Sequence, residues 1–269
     1  MENSKRGVKF YSKIYFKIIA QDIKSKLSYR ADFFLSMLGM ILINVSGAVG
    51  FWLIFQRFPE INGWTYHEMI FLYGFCLVSA TPAQCLFDNN WVLRYAVYSG
   101  DFIKYCFRPI NVFFYYISET FDLKGIWQFL FGLIAVIYAW NKLQIPLDAV
   151  NVLLFIIQSL SASLFAVAIL NASAASCFWI ENSFFILSLS SKLRDFAKYP
   201  VSIFSKPLRI ILTFVVPIAF LAYYPCQSLL RPDAIPVLTW LTPVFGALFF
   251  VLSYKFWMTG AKRFNGTGS

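Results

Sequence analysis

Between Ala31 and Phe55 the chain runs for 25 residues with Asp32 as its one charge. About 20 apolar residues are enough to cross a bilayer as a helix, and a lone segment in lipid must be helical to satisfy its own backbone. Comparable runs follow at about 68–91, 112–140, 148–172 and 235–259. A shorter run at 183–193 reaches back to Cys177. The expected fold is therefore all-α and membrane-integral, with six transmembrane helices in one unit over 1–269. Composition agrees: 59% of residues are hydrophobic and 13% are charged, where a soluble domain carries about 25% charge.

The remaining segments set the organisation. Residues 1–30 carry eight basic side chains, and Lys9, Lys13 and Lys17 repeat every four residues. Phe10, Tyr11, Ile14, Tyr15, Ile18 and Ile19 form the opposite stripe. This is an amphipathic helix expected to lie along the inner membrane surface and to hold the N-terminus inside. The net charge of +10 thus points to anionic lipid at span ends rather than to nucleic acid. The tail 260–269, with Lys262 and Arg263, is placed on the same side.

Tyr98–Asn111 is a polar interruption between two runs. Gly100 breaks the preceding helix, and Asp101 is positioned to cap a new one. Phe102, Ile103 and Phe107 are expected on an apolar face, and Lys104 and Arg108 sit i,i+4 on another. Pro109 ends the segment. On these residues alone it is either a short amphipathic helix or an ordinary loop.

Glu119, Asp122 and Lys124 lie in the first turns of the expected third span. Charges so close to a span are functional or paired, and pairing with Arg94 or a partner subunit is expected, with a transport role second. Glu119 and Asp122 share a helix face there, and Lys124 does not.

Pro200, Pro207, Pro217 and Pro225 divide the segment before the last span. Residues 210–224, with Pro217 central, read as two half-helices, so 200–230 is expected to be a re-entrant hairpin at the outer side. Lys192, Arg194, Lys198, Lys206 and Arg209 oppose this, because basic residues favour the inner side. The alternative keeps 177–207 in the cytoplasm and makes 209–224 the fifth span. Charge alone favours the alternative.

No chemistry of its own stands out. There is no GxxxxGK[ST] phosphate loop, no HExxH and no GxSxG. The five cysteines form no CxxC, and His67 has no metal-type partner spacing, so no metal or cofactor is expected in this chain.

Five stretches in order resemble the permease subunit of ABC exporters of the ABC-2 type, in a subfamily of mostly uncharacterised bacterial systems. They are SYRADFF (28–34), GDFIKYCFRP (100–109), FAKYPVSIF (196–204), LTFVVPIAFLAYYP (212–225) and the ending FWMTGAKRFNGTGS. The resemblance implies that 1–30 is the connecting helix and that 100–109 is the coupling helix that touches the ATPase. It also implies that the proline-rich segment is an outer re-entrant hairpin, which favours the first topology. It further implies two separate ATPase subunits holding ATP and Mg, a second permease (a related but different chain being preferred), and the bacterial cytoplasmic membrane with both termini inside. The rival classes are a membrane-embedded lipid-modifying enzyme and a secondary transporter.

Overall fold

The computed structural model describes residues 7–28, 30–181 and 183–264. Lys5 and Arg6 of the basic block, the side chain of Arg30 and the tail after Phe264 lie outside the described residues.

Helix α1 (Val8–Ser28) turns Lys9, Lys13 and Lys17 outward and keeps Tyr11, Ile14, Tyr15, Ile18 and Ile19 half-buried. The periodicity of the sequence is met except at Phe10, which is exposed. Helix α2 (Arg30–Arg57) follows, and little of its apolar surface is covered by the rest of the chain. A two-residue hairpin, β1 (Glu60–Ile61) and β2 (Trp64–Thr65), turns through Asn62 and Gly63 at φ 49° and 76°. Thr65 and Glu68 then form a reciprocal capping box that starts α3.

Helix α3 (Tyr66–Leu86) is the centre of the molecule, with Met69, Phe71, Leu72 and Phe75 fully buried. It packs closely on α7 (Lys124–Lys142), because a Cβ at Gly74 would lie 2.7 Å from the Gly132 carbonyl oxygen. One turn before Pro82 the Leu77 carbonyl accepts from Thr81 Oγ1 (2.9 Å) and Gln128 Nε2 (3.2 Å). The helix stops at Leu86, earlier than the expected Trp91. Asn89 and Asn90, just beyond its end, are buried. Asn90 Nδ2 donates to Asn171 Oδ1 (2.7 Å), and Asn89 Nδ2 donates to the Tyr116 carbonyl (2.7 Å).

Short helices α4 (Leu93–Tyr98), α5 (Ile103–Cys106) and α6 (Val112–Ser118) lead to α7. The expected third span, 112–140, is not one helix. The chain leaves helical pairing at 119–123, where the Asp122 N–H donates to the Cys85 carbonyl (3.0 Å). Glu119 and Asp122 therefore sit in a break and share no helix face. Helices α8 (Ala149–Ala175) and α12 (Val237–Arg263) pack along each other, with Gly246 directly on the Ser161 carbonyl.

Between them the chain is broken repeatedly. Helix α9 (Phe184–Arg194) continues in two 3-10 turns. Helix α10 (Lys206–Ile210), a π-turn and a 3-10 turn follow, then α11 (Tyr223–Leu230). Pro207 and Pro225 stand in first helical turns, where a missing N–H costs nothing, and Pro217 stands at the break. Trp64 Nε1 donates to Ser202 Oγ (2.8 Å), which fixes 202 beside the hairpin. Ser79 Oγ, well down α3, donates to the Leu221 carbonyl (3.1 Å). Arg231 then returns to Glu68 and the Gly63 carbonyl. The path thus starts and finishes at the hairpin end. Residues 218–230 are all buried, so protein covers that part of the broken backbone, as irregular structure at membrane depth requires, while Ile210, Ile211, Phe214 and Val215 before it are exposed.

Among the described residues four helices are long and apolar enough to cross a membrane: 31–57, 66–86, 149–178 and 237–263.

Candidate functional site

The end opposite the hairpin carries a protruding knob over residues 93–110. Gly100, at φ 83°, turns the chain sharply after α4, a conformation that favours glycine. The Phe102 N–H then closes onto the Ala96 carbonyl (2.9 Å). Asp101 does not cap α5 as expected. Its carboxylate accepts from Ser99 Oγ (2.8 Å), and α5 begins without a side-chain cap. Pro109 lies in the bend that leaves the knob.

Phe102 corrects the sequence expectation. It has no exposed surface and is the root of the knob. Its ring meets Tyr105, Tyr116, Phe178, Trp257 and Phe264 at centroid distances of 5.2–6.0 Å. A four-residue helix has no sequence period long enough to say which aromatic faces inward. The outward stripe is Ile103, 40% exposed, and Phe107, 80% exposed, one turn apart. Tyr95 and Tyr98 of α4 are exposed as well and were not singled out by the sequence, although their i,i+3 spacing was visible there. Tyr98 donates to Glu181 Oε1 (2.7 Å), and this bond pushes the phenol pKa up.

The basic residues flank this stripe. Arg108 lies over the Tyr115 ring (5.5 Å), and Lys104 over the Tyr105 ring (4.8 Å). Lys104 Nζ also reaches Glu119 (3.5 Å), which in turn accepts from the Tyr105 hydroxyl. Burial and that bond push the Tyr105 phenol far above its ordinary range. Glu119 is therefore paired within the knob and not with Arg94. Arg94 stacks on Tyr95 and Phe184 (5.7 and 6.0 Å).

The break behind the knob is clasped by α1. Asp22 accepts from the Phe121 N–H (2.9 Å), and Lys26 donates to the Phe121 carbonyl (2.7 Å) and to Asp22 (2.7 Å). Asp122 is buried, pairs with Lys124 (3.6 Å) and accepts from Gln84 Nε2 (2.7 Å). Thus Glu119 is joined to the knob, Asp122 and Lys124 to each other, and Phe121 between them to α1, while Lys9, Lys13 and Lys17 stay on the outer face of α1. Asp22 is the member that sequence reading missed. Pro200, Pro207, Pro217 and Pro225 belong to the segment that starts and finishes at the hairpin end and play no part here. Among the described residues no group of three or more His, Cys, Asp or Glu is arranged to hold a metal ion.

Long apolar helices with broken, protein-covered segments between them define a multi-pass α-helical membrane protein. A family model described as ABC-2 family transporter protein matches residues 35–268, and the chain belongs to that family. It is thus a membrane component of a transporter. Comparison with curated proteins and with solved structures gave no match.

Proposed function

We propose that the chain is the permease subunit of an ATP-driven exporter and that the knob is its coupling element. Membership of the transporter family supports the class. The observation that carries the coupling role is the division of the knob into a buried root and an exposed tip. Phe102 joins it to Trp257 and Phe264 at the end of α12, and Ile103 and Phe107 stand outside. A rigid apolar tip with cations beside it suits a cleft with acidic rims on a partner. Movement of the tip would pass through Phe102 to α12, and through Glu119 to the break and α1.

In this reading α2, α3, α6 with α7, α8, α9 with its 3-10 turns, and α12 make six crossings. Residues 200–230 are a re-entrant hairpin at the outer side, and α1 lies on the inner surface of the cytoplasmic membrane. Both termini are cytoplasmic. Two ATPase subunits bind ATP and Mg, and a second, related permease completes the pathway. ATP shifts the membrane conformations only through contacts that differ between states, and the tip supplies them.

The test is Ile103→Asp/Phe107→Asp, made in the full chain co-expressed with its ATPase. Co-purification of the ATPase is expected to fall at least tenfold while membrane insertion is unchanged. Undiminished co-purification overturns the coupling role.

A further inference from the structure

At the mid-length of α2 lies a cavity of about 160 Å³, bounded by α2, α3, α7, α8, α9 and the broken segment. Asn44 of α2 is about 20 Å from either end of that helix at 1.5 Å per residue, so the cavity sits at the depth of the bilayer centre. Its wall contains Arg194, Lys198, Asp195 and Asn44, two cations against one carboxylate. Arg194 Nε and Asn44 Nδ2 are both buried N–H donors with no partner. Asp195 lies beside the arginine, but its carboxylate is held by Lys198 (2.8 Å), and none of the ion pairs among the described residues includes Arg194. A cation held inside a membrane protein without a partner is costly and marks a ligand pathway by default.

We infer that this cavity binds the single anionic headgroup of an amphiphile whose apolar chain lies along α2. The vacant groups are donors, which fit an acceptor such as a phosphate or carboxylate oxygen. A liquid water takes about 30 Å³, so the space suits a headgroup and a few waters, not a large polar solute. Beside the cavity Ile43 is 66% exposed, and α2 continues apolar and exposed through Leu35, Leu38 and Leu42, which gives a chain its surface. The inference rests on the permease reading and names its substrate class.

The test uses the full chain in neutral maltoside micelles with three probes: tetradecyl phosphate, tetradecylphosphocholine and inorganic phosphate. Binding is read by native mass spectrometry and by the thermal unfolding midpoint. Tetradecyl phosphate is expected to bind the wild type at least tenfold more tightly than Arg194→Gln, with Arg194→Lys between them. Because the Gln variant removes an uncompensated charge, its ligand-free midpoint is expected to be no lower than that of wild type. If it does not fold, Arg194→Lys and Asn44→Leu carry the comparison.

Equal binding by the variants, equal binding of the phosphocholine, or saturation by inorganic phosphate alone each overturns the inference. Phosphatidic acid in nanodiscs that permanently blocks tetradecyl phosphate identifies a resident lipid and overturns it as a cargo site. Capture of the ATPase is scored separately. Lost headgroup binding with capture intact removes the substrate class only, whereas a wild type that captures no ATPase removes the permease reading.

Discussion

Truncation of Phe102 separates the root of the knob from its tip. The ring is wholly enclosed and touches five other aromatic rings, from α5, α6, the turn after α8, and α12 with its end. Truncating a buried Phe to Ala costs about 3–5 kcal/mol, and aromatic pairs add about 0.5–1.5 kcal/mol each beyond area. The enclosing rings come from separate elements and cannot all collapse inward, so Phe102→Ala is expected near the upper half of that range. Phe102→Leu keeps most of the volume and is expected to cost about 1–2 kcal/mol. Phe107→Ala, on a side chain 80% exposed, is expected to lie within about 0.5 kcal/mol of wild type. Reversible unfolding in mixed micelles measures all three. Equal losses for Phe102→Ala and Phe107→Ala would refute the division into root and tip.

Burial, with the Asp122 charge second, raises the Asp88 carboxyl to about 6, against an unfolded value near 3.9. Asp22, Asp122, Lys26 and Lys124 face it. The neutral form is thus favoured in the fold, and the associated stability is present below about pH 4 and lost as pH rises through 6. Asp88→Asn is expected to gain on wild type over that window, and a constant difference from pH 4 to 7 in micelle unfolding would contradict this. Gly246→Val drives a side chain into the Ser161 carbonyl and is expected to separate α8 from α12, lowering folded yield severalfold by size-exclusion chromatography. Asp22→Ala leaves the Phe121 N–H without its acceptor and is expected to cost about 1–3 kcal/mol and to increase hydrogen exchange at 119–123, not elsewhere in α7. Ser205→Cys, made with the exposed Cys106 changed to Ser, is expected to label from outside intact cells; labelling from the cytoplasm alone rejects the outer hairpin.

Much of the fold was legible because the features that set it are local. The 25-residue run at 31–55 needs no tertiary information to be a helix, and Gly100 breaks α4 through its own backbone freedom. The lysine period of α1 likewise survives intact. The break at 119–123 was not legible, because the apolar run 112–140 reads as continuous. Its helix is interrupted by partners distant in sequence: Cys85, Gln84, Asp22 and Lys26. The same reason hid the pairing of Glu119 with Tyr105 and Lys104. Arg194 looked like evidence on sidedness when counted with four other basic residues. The structure separates it from Lys206 and Arg209, which are exposed, and places it with Lys198 on the wall of a cavity.

The measurement closest to the central claim is a site-specific cross-link. A photoreactive amino acid at position 107 of the full chain, irradiated in membranes with the co-expressed ATPase, is expected to yield one chain–ATPase adduct whose amount changes with ATP. The same group at buried position 102 is expected to yield none. No adduct from 107 under any nucleotide condition, with the ATPase present and assembled, would contradict the account.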